Sequence, residues 1–196
     1  MVELQHNAVE PALLTAYRAA NPLAPITDFD SLGFRPAKDA IKAALNQDQG
    51  GLCAYCEQNL KHDAGQIDHI KPKGGPNAHP NLCFTYTNFV HSCISPKTCG
   101  QRKKSGLLPI EPGPNCNREW VLSTDGSIEA VIALTNKRKH EVTQTRDMLG
   151  LNADSYLVEE RKKWLEQIVI ILRQAPGDIH TFLQVAPFRH ILATVL

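Results

Sequence analysis

The sequence predicts an α+β fold that is mainly helical, with a small cysteine-stapled core and one β-hairpin. Apolar residues recur at helical spacing toward both ends of the 196-residue chain. Two pairs of cysteines bracket a central region, from Cys53 to Cys99, in which loop and strand signals alternate. Alternating apolar and polar residues around Asp125-Gly126 are typical of a tight hairpin turn.

These signals divide the chain into three segments. We expect an N-terminal helical segment over residues 1–48, a cysteine core over residues 49–110, and a β-hairpin with a C-terminal helical region over residues 111–196. In the first segment, helical spacing predicts a helix over residues 3–20, but Pro11 interrupts it, so the alternative is a turn followed by a helix. A second helix is predicted over residues 36–46, where a proline suits the first turn.

The other elements follow from the same signals. In the core, residues 71–80 are rich in Pro, Gly and Asn, which predicts a loop. A short strand is predicted over residues 84–90, and a short basic helix is predicted after Cys99. Beyond the hairpin, helices are predicted over residues 136–149 and 153–175. Gly150 ends the first of these and Pro176-Gly177 the second. A last helix is predicted after Asp178 and breaks at Pro187.

Composition narrows the functional classes. A hydrophobic fraction of 42% is ordinary for a protein with a buried core. The longest apolar stretch, residues 168–172, is too short to cross a bilayer, and the N-terminus lacks the pattern of a signal peptide. Six cysteines without such a signal favour metal binding over disulfides. We therefore expect a cytoplasmic protein with no membrane partner.

Charge is unevenly distributed along the chain. The formal net charge is only +1, but residues 53–104 carry seven Lys or Arg against three acidic residues. Such a modest local excess is compatible with a surface that binds nucleic acid.

The cysteine spacing predicts a structural zinc site. Two residues separate Cys53 from Cys56, so one tight turn can present both sulfurs to a single ion. Five residues separate Cys93 from Cys99, and this longer stretch must bulge outward for both to reach the metal. The alternative is a set of unconnected thiols. Cys83 and Cys116 have no partner at ligand spacing and are interpreted as small apolar residues.

An acid-histidine pair, Asp68-His69, lies inside the apolar frame Ile67 to Ile70. A neutral imidazole can take a proton from water, and a carboxylate can hold a divalent ion that neutralises phosphate charge. At a strand end both side chains can approach one site. Asn88 lies five residues before Cys93, where its amide could hold the histidine-bearing loop. The alternative is that Asp68 only orients His69 or caps a turn.

Three consecutive basic residues follow the last cysteine of the pairs. On a short helix, at least one of Arg102, Lys103 and Lys104 would face a bound phosphate. The alternative is a solvated helix face. His91 stands too close to Cys93 for a paired ligand, and we expect it near the active groove or on the surface.

Together, these residues resemble the HNH (ββα-metal) endonucleases, in the subtype with two zinc-binding cysteine pairs. The resemblance implies that His69 is the general base, that Asp68 is a ligand of a catalytic Mg²⁺ or Mn²⁺, and that Asn88 orients the base. Lys103 matches the family's downstream lysine. The family places Asn or His directly after the last cysteine, whereas this chain has Gly100, so Gln101, another polar group or water would have to substitute.

The wider layout is similar to the PtuB-like HNH proteins of Septu and retron-associated anti-phage defence. That resemblance implies an ABC-type ATPase partner (PtuA-like), and association with a retron reverse transcriptase and its non-coding RNA. We therefore predict a metal-dependent endonuclease that acts on DNA, with RNA as a further target. The competing hypothesis is a non-catalytic zinc module that binds nucleic acid or a protein partner, in which Asp68 and His69 are structural.

Overall fold

A computed structural model describes residues Met1–Leu196 and confirms the α+β class, with seven α-helices and two small antiparallel sheets. None of the helices combines the length and apolar character that crossing a bilayer requires.

The N-terminal segment contains α1 (Ala12–Ala20) and α2 (Arg35–Asp48). Of the two expectations for residues 3–20, the continuous helix is wrong, because the helix begins only after Pro11, and the alternative of a helix preceded by non-helical chain agrees with the structure. The preceding residues run as irregular chain, and the backbone nitrogen of Val2 donates to the carbonyl of Ala54 in the cysteine core. Met1, Val2 and Leu4 are buried in that core, whereas Val9 is 79% exposed.

The central segment is a ββα unit. Strand β1 (Gln66–His69) pairs antiparallel with β2 (Phe89–Ser92), and α3 (Cys99–Lys103) follows. The strand predicted over residues 84–90 begins only at Phe89, because 3₁₀ turns occupy Pro80–Leu82 and Tyr86–Asn88. Helix α2 packs against both strands.

The C-terminal region begins with the expected hairpin, β3 (Trp120–Leu122) and β4 (Ile128–Ala130). Gly126 lies in its turn with a φ of 87°, and a Cβ there would lie 2.1 Å from the carbonyl oxygen of Val158. The helices that follow are α4 (Asn136–Leu149), α5 (Ser155–Gln174), α6 (Ile179–Val185) and α7 (Arg189–Leu192). The sequence predicted α4, α5 and α6 but not the single turn of α7.

Two apolar clusters flank the ββα unit. One joins α1 and α2 to Ile67 and Phe89 of the sheet. The other joins the cysteine core to the hairpin and the C-terminal helices. Arg161 of α5 is 1% exposed within the second cluster. Its Nε donates to the carbonyl of Gly126 at 2.7 Å and so joins α5 to the hairpin turn. Both clusters draw on more than one predicted segment, and the segment boundaries stay a prediction.

Glu57 joins the C-terminal helices to the cysteine turn through hydrogen bonds. Its backbone carbonyl accepts from the nitrogen of Phe188 at 3.0 Å, and its carboxylate accepts from the nitrogen of His190 at 2.8 Å. Burial opposes ionisation of this carboxyl, but the Met1 ammonium and His190 outweigh it and lower the pKa of Glu57 to about 2. The buried carboxylate therefore remains charged at neutral pH.

Candidate metal centre and active site

Four cysteines meet at the junction of three elements. Cys53 and Cys56 lie in a turn after α2, Cys93 directly follows β2, and Cys99 opens α3. Their sulfurs all lie within 4.8 Å of one another, and those of Cys53 and Cys99 are 3.8 Å apart. Four sulfurs bonded to one zinc at about 2.3 Å would be about 3.8 Å apart at tetrahedral corners. The cluster therefore has the geometry of a closed metal site.

The longer spacing of the second pair is accommodated as a surface bulge. Ile94, the first residue of the connection, is 63% exposed, whereas Cys99 at its end is fully buried. The backbone nitrogen of Cys93 donates to the sulfur of Cys53 at 3.3 Å, an N–H···S contact that would stabilise a thiolate. Donor type and spacing both fit a structural ion such as zinc.

Asp68 is held on one side by two donors. The hydroxyl of Tyr55 donates to Oδ2 of Asp68 at 2.6 Å, and Nζ of Lys103 lies 3.3 Å from the same oxygen. Burial and the neighbouring carboxylate raise the pKa of Tyr55 well above its ordinary value, so the phenol stays protonated as a donor. Asp68 also lines an open groove. Its second oxygen is left to accept a ligand from that side.

His69 is the last residue of β1 and lines the same groove as Asp68. Its ring packs against both Phe29 and Phe89, with centroid distances of 4.6 Å and 5.1 Å. Nε2 lies 3.0 Å from the carbonyl oxygen of Cys83. A carbonyl only accepts, so Nε2 carries the proton and Nδ1 keeps its lone pair. Burial lowers the pKa of His69 to about 4, which leaves the ring neutral at pH 7.

Asn88 holds two backbone segments that contact this histidine, one just after β1 and one just before Cys83. Its Oδ1 accepts from the nitrogen of Lys71 at 2.9 Å, and its Nδ2 donates to the carbonyls of Lys71 and Leu82 at 3.0 Å and 3.2 Å. Lys71 follows the end of β1, and Leu82 precedes the residue whose carbonyl receives the imidazole proton. Asn88 therefore reaches His69 through the main chain and not through the ring.

The groove beside Asp68 and His69 has a volume of about 520 Å³. Four lysines line it: Lys38, Lys42, Lys73 and Lys104. Asp30 and Asp39 also line it, and Asp30 pairs with the first and third of these lysines at 2.8 Å and 2.9 Å. The lysines come from α2, from the loop after β1 and from the end of α3. Their convergence makes the groove suited to a polyanion.

Of the three basic residues predicted to meet phosphate, only Lys104 lines this groove. The side chain of Lys103 is fully buried, and its Nζ donates to the carbonyl of His69 at 2.7 Å. Arg102 turns toward α4, where its Nε donates to the carbonyl of Asp147 at 3.0 Å. The structure thus brings Asp68, His69 and Lys104 to one surface, with Lys103 beneath it.

Several groups at the site escaped sequence reasoning. Tyr55 is hidden between the first two cysteines, and Gln66 precedes Asp68 by two residues on the same strand face. Lys38 and Lys42 carried a usable signal, since they are four residues apart on a predicted helix. Nothing in the sequence connected that helix to the Asp-His pair.

The expectation that His91 lies on the surface is wrong. This residue of β2 is fully buried, and its Nε2 lies 2.7 Å from the carbonyl oxygen of Ala64. Its partner on Nδ1 is the amide of Asn46 at 3.3 Å, so both ring nitrogens are engaged within the core. Cys83 and Cys116 are buried, as expected for small apolar residues.

Comparison with known proteins adds a relationship over the whole chain. The chain is 40% identical over 201 residues to a Vibrio cholerae serotype O1 biovar El Tor protein named "Retron Vc95 putative HNH endonuclease", covering 98% of both chains. It is 25% identical over 146 residues to "Septu protein PtuB" of Bacillus mycoides, covering 59% of this chain and 45% of that protein. No family model matches the chain.

Proposed function

Since this chain belongs to the HNH endonuclease family represented by the retron Vc95 protein, we propose that it is a metal-dependent endonuclease that hydrolyses phosphodiester bonds in DNA. One observation carries the proposal: Asp68 and His69 open onto a single lysine-lined groove, with a free lone pair on the imidazole. RNA shares the phosphodiester chemistry and is the further target to test.

In this mechanism His69 is the general base. Its Nδ1 takes a proton from water, while the carbonyl of Cys83 holds the opposite nitrogen and fixes the tautomer. Burial against two phenyl rings lowers the pKa of His69 to about 4, so the ring is neutral at pH 7 and its Nδ1 lone pair can accept a proton. Asn88 is a positioning residue, because its amide bonds the main chain at Lys71 and at Leu82.

Asp68 would hold the catalytic ion through the oxygen that Tyr55 and Lys103 leave open. The surrounding donors are carboxylate and amide oxygens, which suit Mg²⁺ or Mn²⁺. The chemistry supplied by such a bound ion is neutralisation of charge on the phosphate and the leaving oxygen. Lys103 fixes the carboxylate from below, and Lys104 with the groove lysines would position the phosphate backbone.

The four cysteines would hold a structural Zn²⁺. The turn that carries Cys53 and Cys56 also carries Tyr55, and α3 carries both Cys99 and Lys103. A crosslink at the cysteines would therefore fix both donors that hold Asp68, and with them the geometry of the groove.

We further propose a role in anti-phage defence, in keeping with the retron and Septu names of the two relatives. The resemblance to PtuB-like proteins supports an ABC-type ATPase partner (PtuA-like), a retron reverse transcriptase with its non-coding RNA, and a cytoplasmic setting. Helix α5 is the first surface to test for the ATPase. Val169, Ile170 and Leu172 are each 40% exposed or more, whereas Trp164 packs against Phe182.

One observation favours the alternative of a non-catalytic zinc module. Apart from the four cysteines, no three His, Cys, Asp or Glu side chains converge as metal ligands, and Gly100 offers none beside Asp68. A supercoiled-plasmid assay with Mg²⁺ or Mn²⁺ separates the two, using wild type and Asp68→Ala, alone and with the co-expressed ATPase. We expect nicking that EDTA and the substitution both abolish. Intact plasmid in every reaction, including those with the ATPase, would favour the non-catalytic module.

A further inference from the structure

The position next to the last cysteine lies directly against the proposed ion-binding carboxylate. A Cβ built on Gly100 would lie 3.2 Å from Cγ of Asp68 and 3.3 Å from its Cβ. A side chain at position 100 would thus stand beside the side chain of Asp68. Without one, position 100 contributes no ligand atom beside Asp68.

That space is filled from another element. The same Cβ would lie only 2.8 Å from Nε2 of Gln66, closer than real contacts allow. Gln66 and Asp68 are two residues apart on β1, so they point to the same face, and both line the groove. A side chain at position 100 and Gln66 would therefore compete for one volume beside Asp68.

The Gln66 amide is held by a second amide. Nε2 of Gln101 donates to Oε1 of Gln66 at 2.7 Å. Terminal amide torsions are soft, and each amide offers both a donor and an acceptor. Rotation of both groups keeps a hydrogen bond between them and turns the oxygen of Gln66 toward Gly100 and Asp68.

Resting on the proposed function, we infer that Gln66 supplies the oxygen ligand that Gly100 cannot, and so completes the divalent-ion site with Asp68. The oxygen ligand would then come from Gln66 on β1 and not from position 100 on α3. A neutral amide oxygen beside one carboxylate suits Mg²⁺ or Mn²⁺, which keep waters and substrate phosphate as their other ligands.

The test is Mn²⁺ binding followed by electron paramagnetic resonance, in the zinc-loaded His69→Ala protein with a short DNA duplex, so that nothing is cleaved. Gln66→Ala should weaken Mn²⁺ binding by about tenfold or more. Gln66→Glu should keep or tighten it, because a carboxylate still offers oxygen. If Gln66 instead donated to phosphate, Glu would weaken binding by repulsion, which would overturn the inference. Gln174→Ala, at the exposed end of α5, is the matched control.

Competition for space provides a second, independent readout. Gly100→Asn alone should weaken Mn²⁺ binding, because its Cβ meets Gln66. In the Gln66→Ala background the same substitution should restore binding, so its effect changes sign. Zinc content and thermal melting of each variant report whether the core is folded.

The outcomes separate this inference from the proposed function. If Asp68→Ala abolishes Mn²⁺ binding and Gln66→Ala leaves it within about twofold of wild type, the role of Gln66 is wrong and the ion site stands. If Asp68→Ala also leaves Mn²⁺ binding unchanged, the ion site itself is wrong.

Discussion

The hydroxyl of Tyr55 donates a 2.6 Å hydrogen bond to Oδ2 of Asp68. Tyr55 lies between two of the clustered cysteines, and Asp68 lies on the groove, so this bond joins the metal-binding turn to the proposed catalytic carboxylate. Because it occupies one oxygen, it also determines which oxygen faces a ligand. A structural ion would thereby influence chemistry that takes place elsewhere.

Tyr55→Phe tests this connection. The ring and its burial are kept and only the donor to a charged group is lost, so we expect about 2 kcal/mol lower stability. Cleavage should fall by about tenfold because Asp68 is less well oriented. Zinc content, measured by metal analysis, should be unchanged. Full activity in this variant would show that the bond does not orient the carboxylate.

Lys103 and Lys104 are neighbours with opposite expected roles. Lys103→Met removes a buried charge that faces Asp68 and should lower stability by about 2 kcal/mol or more, since the carboxylate loses its nearest cation. Lys104→Met should leave thermal melting unchanged and weaken DNA binding, because Lys104 is exposed and lines the groove. Melting curves and binding titrations on both variants check this division. Equal melting temperatures would contradict it.

Lys42 should act as a phosphate contact although it lies outside the cysteine core. In the His69→Ala background, Lys42→Met should weaken DNA binding for all sequences alike and reduce the slope of log affinity against log salt by about one. Lys137→Met is the matched control, since Lys137 is exposed at the start of α4 and does not line the groove. An unchanged slope for Lys42→Met would place the DNA elsewhere.

Removal of the structural metal should unfold the core and not only abolish cleavage. We expect one zinc per chain and a large drop in melting temperature on chelation, because the cluster joins the turn after α2, β2 and α3. Cys53→Ser should reproduce this loss. Cys83→Ala, a buried cysteine outside the cluster, should retain zinc. A protein that melts identically with and without chelator would rule out a structural role for the ion.

The sequence predicted the features that are local or depend on cysteine chemistry. Helices α2, α4 and α5 follow from periodicity and end signals, and the converging cysteines follow from spacing. The strand predicted over residues 84–90 was placed too early, because the 3₁₀ turns before Phe89 contain the same apolar and aromatic residues that a strand favours. A continuous helix over residues 3–20 failed because Leu4 is buried in the cysteine core whereas Val9 is exposed, so their spacing does not mark one helix face.

The site itself was only partly accessible to sequence reasoning. Asp68 and His69 stand out because they are adjacent polar residues in an apolar frame. Tyr55, Gln66 and Lys42 matter only through packing between elements, which no local pattern encodes. Lys103 matched the family's downstream lysine in the sequence, but its burial beneath Asp68 could be seen only in the fold.

The measurement that tests the central claim most directly is plasmid cleavage by His69→Ala with and without added imidazole, beside wild type and His180→Ala. His180 is exposed on α6 and serves as the control. If His69 is the general base, His69→Ala should lose cleavage by about a hundredfold or more, keep its zinc and its fold, and regain activity with imidazole. Metal-dependent cleavage by folded His69→Ala at the wild-type rate would contradict the account.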